Sequence, residues 1–302
     1  RRPRHQDREE HDQRRVRVQR RRDQGDRGGA IAEPAGAPDV DIIVYRPRDA
    51  VGVLPCIFHV HGGGYVGGTT ARVFATDGGN AQPGSAEPTV SSAGALISAG
   101  STANVSASVT DIAGDSKAII GRFTNGTAKF NNANVVYGAN GGLPYVILAP
   151  RVGSLPTSGT IAYSILSATR PVFSDGGTAP GSIKADLTLG FGATSSNLTY
   201  KTSGTITMPE ASGNVVYTFA SAGYAAGTMQ TVTNYSVFQG RDTYLFQTSL
   251  TGNGRGCVSS GCFLQFYGDF AGSNPQDRLG LIYQTYGGAQ SAPRLQGSVI
   301  FA

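Results

Sequence analysis

Three segments near the end of the chain decide the fold: Cys262-Phe-Leu-Gln-Phe-Tyr-Gly-Asp-Phe-Ala-Gly272, Arg278-Leu-Gly-Leu-Ile-Tyr283 and Gly297-Ser-Val-Ile-Phe301. Each is short, rich in aromatic and branched residues, and bounded by Gly, Asn or Pro, as strands joined by turns are. Apolar residues take every second position in Thr160–Ile165 and in Ile183–Leu189. We therefore predict an all-β fold, with about eight antiparallel strands closed into a barrel over residues 118–302.

The remaining predicted strands are also short apolar runs bounded by turn residues. They are Ile119–Phe123, Asn134–Tyr137, Pro144–Leu148, Leu198–Lys201, Thr205–Met208, Val215–Phe219, Tyr235–Phe238 and Tyr244–Leu250. Their alternation predicts one apolar and one polar face, and a barrel buries its apolar face inside. The reverse arrangement is that of an outer-membrane barrel, whose strands need about 9–11 residues. These strands are shorter, so we favour the apolar interior and keep a small outer-membrane barrel as an alternative.

Charge is concentrated at the start of the chain. Residues 1–28 contain 11 Arg, 4 Asp and 2 Glu, which accounts for the whole formal net charge of +5. Residues 1–29 hold too few apolar side chains to fold, so we predict a disordered Arg-rich tail, with a basic arm as the alternative. Because the rest of the chain is neutral, no nucleic-acid partner is expected.

Residues 72–117 are rich in Gly, Ser and Ala. This composition predicts a linker with one or two weak strands, such as the alternating segment Val105–Val109. No run of about 18 apolar residues indicates a transmembrane helix, and no leader with a cleavage site is visible. We expect the chain to be a fragment or a processed piece of a longer protein.

Residues 30–71 carry a different pattern. Two apolar segments, Asp39–Pro47 and Val53–Val60, lead into His61-Gly-Gly-Gly-Tyr-Val-Gly-Gly68. This short stretch resembles the oxyanion-hole segment of the hormone-sensitive-lipase family of α/β-hydrolases. The resemblance implies a carboxylesterase in which the backbone N–H groups of Gly62, Gly63 and Gly64 bind the tetrahedral oxygen.

The rest of a hydrolase site is missing from the sequence. No Gly-x-Ser-x-Gly occurs, and the nearest match, Gly114-Asp-Ser-Lys-Ala118, makes Ser116 the alternative nucleophile. A triad on this fold places its histidine after the serine, whereas the four histidines here are His5, His11, His59 and His61. We therefore predict an inactive hydrolase-like fragment and a chain that is not an enzyme, with a carboxylesterase as the alternative.

Three motifs in the predicted barrel point to another family: Gly121-Arg-Phe-Thr-Asn-Gly126, Leu155-Pro-Thr-Ser-Gly-Thr160, and Phe270-Ala-Gly272 followed by Gly280-Leu-Ile-Tyr283. They resemble the C-terminal barrel of transferrin-binding-protein-like surface lipoproteins, and especially the barrel appended to FecR-type domains of Gram-negative bacteria. The resemblance implies an exported, non-enzymatic binding module in the periplasm or at the outer-membrane surface. Its partner would be an unknown protein or small ligand of the cell envelope, with membrane association through an N-terminal anchor that this sequence does not show.

Three cysteines are present, and two lie close together in Cys257-Val-Ser-Ser-Gly-Cys262. In an exported protein this spacing favours a disulfide between Cys257 and Cys262 over free thiols, and leaves Cys56 unpaired. Two thiols fall short of the four ligands of a structural zinc site, so no metal is predicted. The glycine-rich stretches Gly138–Gly142 and Gly252–Gly256 do not join a strand to a helix. They predict hairpin turns rather than phosphate loops, and no cofactor is expected.

Overall fold

The structure is a computed structural model, and it describes residues 71–77, 81–84, 88–151, 154–193, 197–238, 241–257, 261–272, 277–287 and 293–302. The predicted tail (1–29) and nearly all of the hydrolase-like fragment (30–71) lie outside these ranges. The described residues form β-strands joined by turns, with a short 3-10 helix at Tyr224–Ala226.

The first ten strands build two open antiparallel sheets, which we call sheets A and B, and together the sandwich. The strands are β1 Arg72–Thr76, β2 Ala81–Gly84, β3 Thr89–Val90, β4 Leu96–Ala99, β5 Thr102–Asn104, β6 Ser108–Gly114, β7 Ala118–Thr124, β8 Gly126–Phe130, β9 Ala133–Tyr137 and β10 Leu143–Leu148. Sheet A has the order β2-β1-β10-β7-β6, and sheet B has the order β3-β4-β5-β8-β9.

The barrel follows. Its strands and their short partners are β11 Thr160–Ala168, β12 Val172–Phe173, β13 Ser182–Gly190, β14 Thr199–Glu210, β15 Gly213–Ala220, β16 Gln230–Thr231, β17 Thr233–Phe238, β18 Arg241–Thr251, β19 Phe263–Ala271, β20 Arg278–Tyr286 and β21 Leu295–Phe301. Eight of them pair antiparallel in the ring β11-β13-β14-β15-β18-β19-β20-β21, and the β11–β21 pairing closes it. This confirms the all-β prediction and the eight-stranded barrel.

Alternate residues of every barrel strand fill the interior. One buried apolar cluster contains side chains from all eight strands, among them Tyr163, Leu189, Met208, Phe219, Phe246, Phe266, Tyr283 and Phe301. Such a cluster can form only inside the ring, so the apolar faces point inward. Glycines make room for the larger rings: a Cβ on Gly297 would lie 2.3 Å from the hydroxyl oxygen of Tyr283, its partner across the ladder.

Sheet A packs on the outer wall of the barrel, and we call this contact the seam. Phe74, Ile120, Val146 and Leu148 of sheet A meet Ile282 and Ile300 of the barrel, along with other apolar residues. The opposite face of sheet A meets sheet B through a second buried cluster that includes Val73, Ile119, Phe123 and Tyr145. The order of layers is therefore barrel wall, sheet A, sheet B.

The seam also contains buried polar contacts. The guanidinium of Arg72 donates to a carboxylate oxygen of Asp269 at 2.7 Å, and both side chains are almost completely buried. A second nitrogen of Arg72 donates to the Thr243 hydroxyl at 2.7 Å. Nearby, Thr76 donates to the side-chain oxygen of Gln284 at 2.6 Å. These contacts fix the sandwich in one orientation on the barrel.

The predicted boundary at residue 118 differs from the structure. The predicted strands Ile119–Phe123 and Pro144–Leu148 exist, but they belong to sheet A, and Asn134–Tyr137 belongs to sheet B. Residues 72–117, predicted to be a linker with one or two weak strands, supply six strands of the sandwich. The barrel proper begins at Thr160. The reason is that period and composition identify a strand, whereas its partner depends on contacts between residues far apart in sequence.

Candidate functional site

Of the residues that an esterase would need, the structure describes Ser116. It lies exposed in the turn between β6 and β7. The three glycines Gly62, Gly63 and Gly64 lie outside the described residues. No histidine follows His61 in the sequence, so no imidazole stands beside Ser116 in the described part of the chain. A serine hydroxyl without a positioned base is a weak nucleophile.

The neighbour of Ser116, Asp115, acts as an anchor of the turn. One of its carboxylate oxygens accepts from the backbone N–H groups of Lys117 and Ala118 at 2.8 and 3.1 Å. The other accepts from the guanidinium of Arg278 at 2.8 Å. Partial burial by itself would raise the pKa of Asp115, but these donors outweigh it and lower the pKa below its ordinary value. Asp115 is thus an anion at neutral pH, with both oxygens engaged.

A pocket of ≈ 320 Å³ lies beside this turn, at the open margin of the sandwich. Its lining is mostly apolar and consists of Ala93, Gly94, Ile112, Ala113, Gly114, Asp115 and Ile119. Strand β6 lines one side of the pocket, and it is irregular there: its register with β7 shifts between Thr110 and Ala113. Residue 111, at this bulge, has a positive φ of 57°. The volume is at the lower end of the range found for small-molecule sites.

Asp111 in the same bulge is also engaged. It accepts from the guanidinium of Arg122 at 3.1 Å and from that of Arg170 at 2.9 Å. The backbone N–H of Arg170 donates to it as well, at 3.2 Å. Arg170 belongs to the connection after β11, so this carboxylate ties the edge of sheet A to the barrel. The acidic side chains around the pocket therefore hold the structure together.

One end of the barrel is covered by the connection Gly252–Cys257. The ring of Tyr217 lies against it: a Cβ on Gly252 or Gly254 would lie 2.6 or 2.0 Å from atoms of that ring and its hydroxyl. Tyr217 donates to Glu210 at 2.6 Å and accepts from the backbone N–H of Gly256 at 3.1 Å. Burial raises the pKa of Tyr217, and its bond to Glu210 raises it further. The glycines here accommodate an aromatic ring rather than a phosphate.

The same connection ends at a disulfide between Cys257 and Cys262, whose Cα atoms are 5.8 Å apart. Both cysteines are buried against the barrel interior. The backbone N–H of Leu250 donates to the carbonyl of Cys262 at 2.9 Å, which continues the β18–β19 ladder up to the bridge. The bridge therefore fastens the covering connection to the strands that it joins.

Within the described ranges, no three His, Cys, Asp or Glu side chains are grouped closely enough to hold a metal ion. The described residues also contain no helix with the length and hydropathy that crossing a bilayer requires. No family model, curated protein or solved structure matches this chain.

Sequence reasoning missed the pocket. It singled out Gly114-Asp-Ser-Lys-Ala118 for the serine, whereas the structure brings Gly114 and Asp115 to the pocket wall. The alternation of β6 appears regular in sequence, and nothing in it indicates a bulge. An Asp two residues before a backbone donor is a common turn signal, and it is the one feature that identifies Asp115 as an anchor.

Proposed function

We propose that the chain is a non-enzymatic binding module of the cell envelope, in which a packed barrel supports a sandwich that carries the ligand site. The observation that carries this proposal is the distribution of free space. The barrel interior is filled by large side chains, while a pocket of ≈ 320 Å³ opens on the sandwich. Among the described residues, the space open to a ligand therefore lies on the sandwich.

The rigidity of the support favours this function. The seam combines apolar packing with the buried Arg72–Asp269 pair, so the pocket is held at a fixed position relative to the barrel. A largely preformed site loses little conformational entropy when it binds its ligand. The lining is apolar apart from Asp115, whose oxygens are engaged, so the ligand class is a small apolar molecule or an apolar side chain of a protein.

The disulfide supports an exported location. Such bridges persist in oxidising compartments and are rare in the cytosol. The Cys257–Cys262 bridge lies at the end of the barrel, where it fastens the covering connection. Labelling of thiols in fractionated cells tests this point. We expect both cysteines to be blocked until a reductant is added, and the chain to fractionate with the periplasm or outer membrane. Free thiols in a cytosolic fraction would contradict the proposal.

The pocket is tested with the neutral fluorescent dye Nile red as an apolar probe. Ala93 lies on an exposed turn and lines the pocket, so Ala93→Phe should fill the space and remove most of the dye signal. Ala211→Phe is the matched control, because Ala211 is also exposed in a turn but lies away from the pocket. Equal dye signals from the two variants would show that the pocket is not the binding site.

A chromogenic short-chain ester tests the absence of catalysis. We expect wild type and Ser116→Ala to give the same background rate, because no histidine lies among the described residues to act as the base for Ser116. Turnover that disappears in Ser116→Ala would replace the binding module with an esterase.

A further inference from the structure

Within the described residues, the two sheets of the sandwich end in four outer strands: β2 and β6 in sheet A, and β3 and β9 in sheet B. An outer strand exposes unpaired backbone groups, and proteins usually protect it with Pro, a charge, a bulge or a covering segment. Strand β2 contains Pro83. Strand β3 has two residues, follows Pro88 and changes register against β4. Strand β6 has its bulge and the Asp111–Arg170 contacts.

Strand β9 has none of these devices in the part of the chain that the structure describes. Its sequence, Ala133-Asn-Val-Val-Tyr137, contains no charge and no proline. It pairs with β8 at all five positions without a shift in register. The β8–β9 hairpin is tight, because Asn131 and Asn132 both adopt positive φ, at 49° and 63°, as a two-residue turn of this type requires. The hairpin thus presents a straight, uncharged edge.

The outer side of β9 is open in the described part of the chain. Sheet B is the layer furthest from the barrel, and no described strand pairs with the other side of β9. Val136, the fourth of its five residues, is 77% exposed, the highest value among the large apolar side chains of the described residues. Val105, which is 53% exposed, lies on the other side of Thr127, the cross-strand partner of Val136. The strand edge that lacks a described partner therefore lies beside an exposed apolar surface formed by Val105 and Val136.

We propose that the occupant of this edge is a second copy of the chain, bound through antiparallel pairing of β9 with β9. A two-fold axis makes the two contacting surfaces identical, and the two five-stranded B sheets become one of ten strands. Self-pairing brings no like charges together, since β9 is uncharged and the chain after residue 28 is neutral. The inference does not depend on the proposed function, because it uses no residue of the pocket.

The size of the edge sets the strength of the dimer. Stable interfaces bury about 1,200–2,000 Å² in total, which pairing over five residues does not reach. We therefore expect weak, concentration-dependent association. Because each described sandwich offers one edge without a protective device, association through the sandwich edges stops at two copies.

Sedimentation velocity over a wide concentration range tests the proposal. Wild type should shift reversibly from monomer to dimer, and Val136→Lys should weaken this association at least about tenfold, because it places a charge on the edge. The matched control is Val216→Lys, which changes a valine that is 50% exposed on the barrel strand β15 and should leave the dimer intact. Hydrogen exchange on wild type needs no variant: the amides of Asn134 and Val136, which point away from β8, should gain protection as concentration rises.

The outcomes are distinct. A protein that stays monomeric at every concentration would overturn the proposal, and so would a dimer that survives Val136→Lys. Loss of association in both lysine variants would show nonspecific apolar contact instead. Growth beyond two copies would show that a second edge is open. Absence of added protection at β9 in a dimer would place the interface elsewhere.

Discussion

The barrel strands pair around a closed ring, whereas the sandwich strands form two open sheets with free edges. Closure gives every strand of the ring a partner on both sides, while the short strands β12, β16 and β17 each pair on one side only in the described residues. The sandwich instead relies on local devices: Pro83 on one edge, a two-residue strand on another and a bulge on a third. The difference teaches that, among the described residues, the sandwich depends on local protection of its edges in a way that the closed ring does not.

The two regions bury their side chains differently except where they meet. Every barrel strand buries its inward side chains in one interior cluster, and β19, β20 and β21 are buried at nearly every position because sheet A covers their outer face. Strands β1, β7 and β10 of sheet A are buried along their whole length, because sheet B covers one face and the barrel covers the other. Sheet A is thus the middle layer of the described structure. Changes at the seam should affect both regions, and changes elsewhere should affect one.

The largest expected effect comes from the buried ion pair of the seam. Asp269→Ala leaves the guanidinium of Arg72 buried without its carboxylate, which should lower the free energy of unfolding by about 3–5 kcal/mol. Chemical denaturation measures it. The control is the double variant Arg72→Met with Asp269→Leu, which removes both charges and should recover most of the loss. If the double variant is as unstable as Asp269→Ala, the seam depends on the hydrogen bonds and packing of this pair as well as on the balance of its charges.

Removal of the disulfide should destabilise the barrel without affecting the sandwich. Replacing both Cys257 and Cys262 by Ala should cost about 2 kcal/mol, the chain-entropy value for so short a loop. A reductant should destabilise wild type by a similar amount and leave the double variant unchanged, as followed by thermal unfolding. Hydrogen exchange should increase at the β18 and β19 ends but not in sheet B. A uniform increase would mean that the bridge supports the sandwich as well.

Sequence patterns predicted the barrel because its strands obey a strict period of two. In Ile183–Leu189, each inward residue is apolar and each outward residue is small or polar. Sheet B was missed because β4 and β5 are three or four residues long and built largely from Ala, Ser, Thr and Asn. Such residues have little side-chain surface to reveal which face is buried.

Sequence patterns could not predict the seam or the pocket. Arg72 and Asp269 are 197 residues apart, and in sequence each appears as an isolated charge near a turn. The pocket depends on the β6 bulge, which leaves no compositional trace. Gly121, from one of the three motifs that resemble the barrel family, lies in β7 of sheet A, where a Cβ would lie 2.2 Å from the hydroxyl oxygen of Tyr145.

Two buried tyrosines, one in each region, allow a matched test. The hydroxyl of Tyr145 in the sandwich accepts from the backbone N–H of Leu96 at 3.0 Å. The hydroxyl of Tyr283 in the barrel has no hydrogen-bond partner among the described residues. Tyr145→Phe should therefore cost about 1–3 kcal/mol, and Tyr283→Phe should be neutral or slightly stabilising. Denaturation of the two variants side by side measures this difference, and equal effects would contradict it.

Alkaline pH should change the stability difference between wild type and Tyr145→Phe. Burial raises the pKa of Tyr145 to about 12, although its bond from Leu96 works against the shift. An unfolded tyrosine ionises near pH 10. Because the folded pKa is the higher one, stability from this group is complete below about pH 10 and is lost as pH rises toward 12. Wild type should lose stability over that interval more steeply than Tyr145→Phe.

The smallest expected effect lies at the margin of the seam, where the turn of Ser116 meets the barrel. Asp115 pairs with Arg278, and Lys117 pairs with Asp277 at 2.9 Å, all four side chains being partly exposed. Exposed pairs contribute little, so Asp115→Asn should cost under about 1 kcal/mol at neutral pH. The pKa of Asp115 is lowered in the fold, so its contribution is present above the ordinary value of 3.8 and disappears as pH falls through the folded pKa.

Acid denaturation of wild type, Asp115→Asn and the neutral control Ser116→Ala distinguishes this peripheral contact from the buried one. The first two should differ at pH 7 and converge in acid, while Ser116→Ala should follow wild type throughout, since Ser116 is exposed. A cost for Asp115→Asn as large as that for Asp269→Ala would mean that the turn, rather than the buried pair, holds the sandwich to the barrel. The pocket beside Asp115 would then depend on a contact that solvent and salt can weaken.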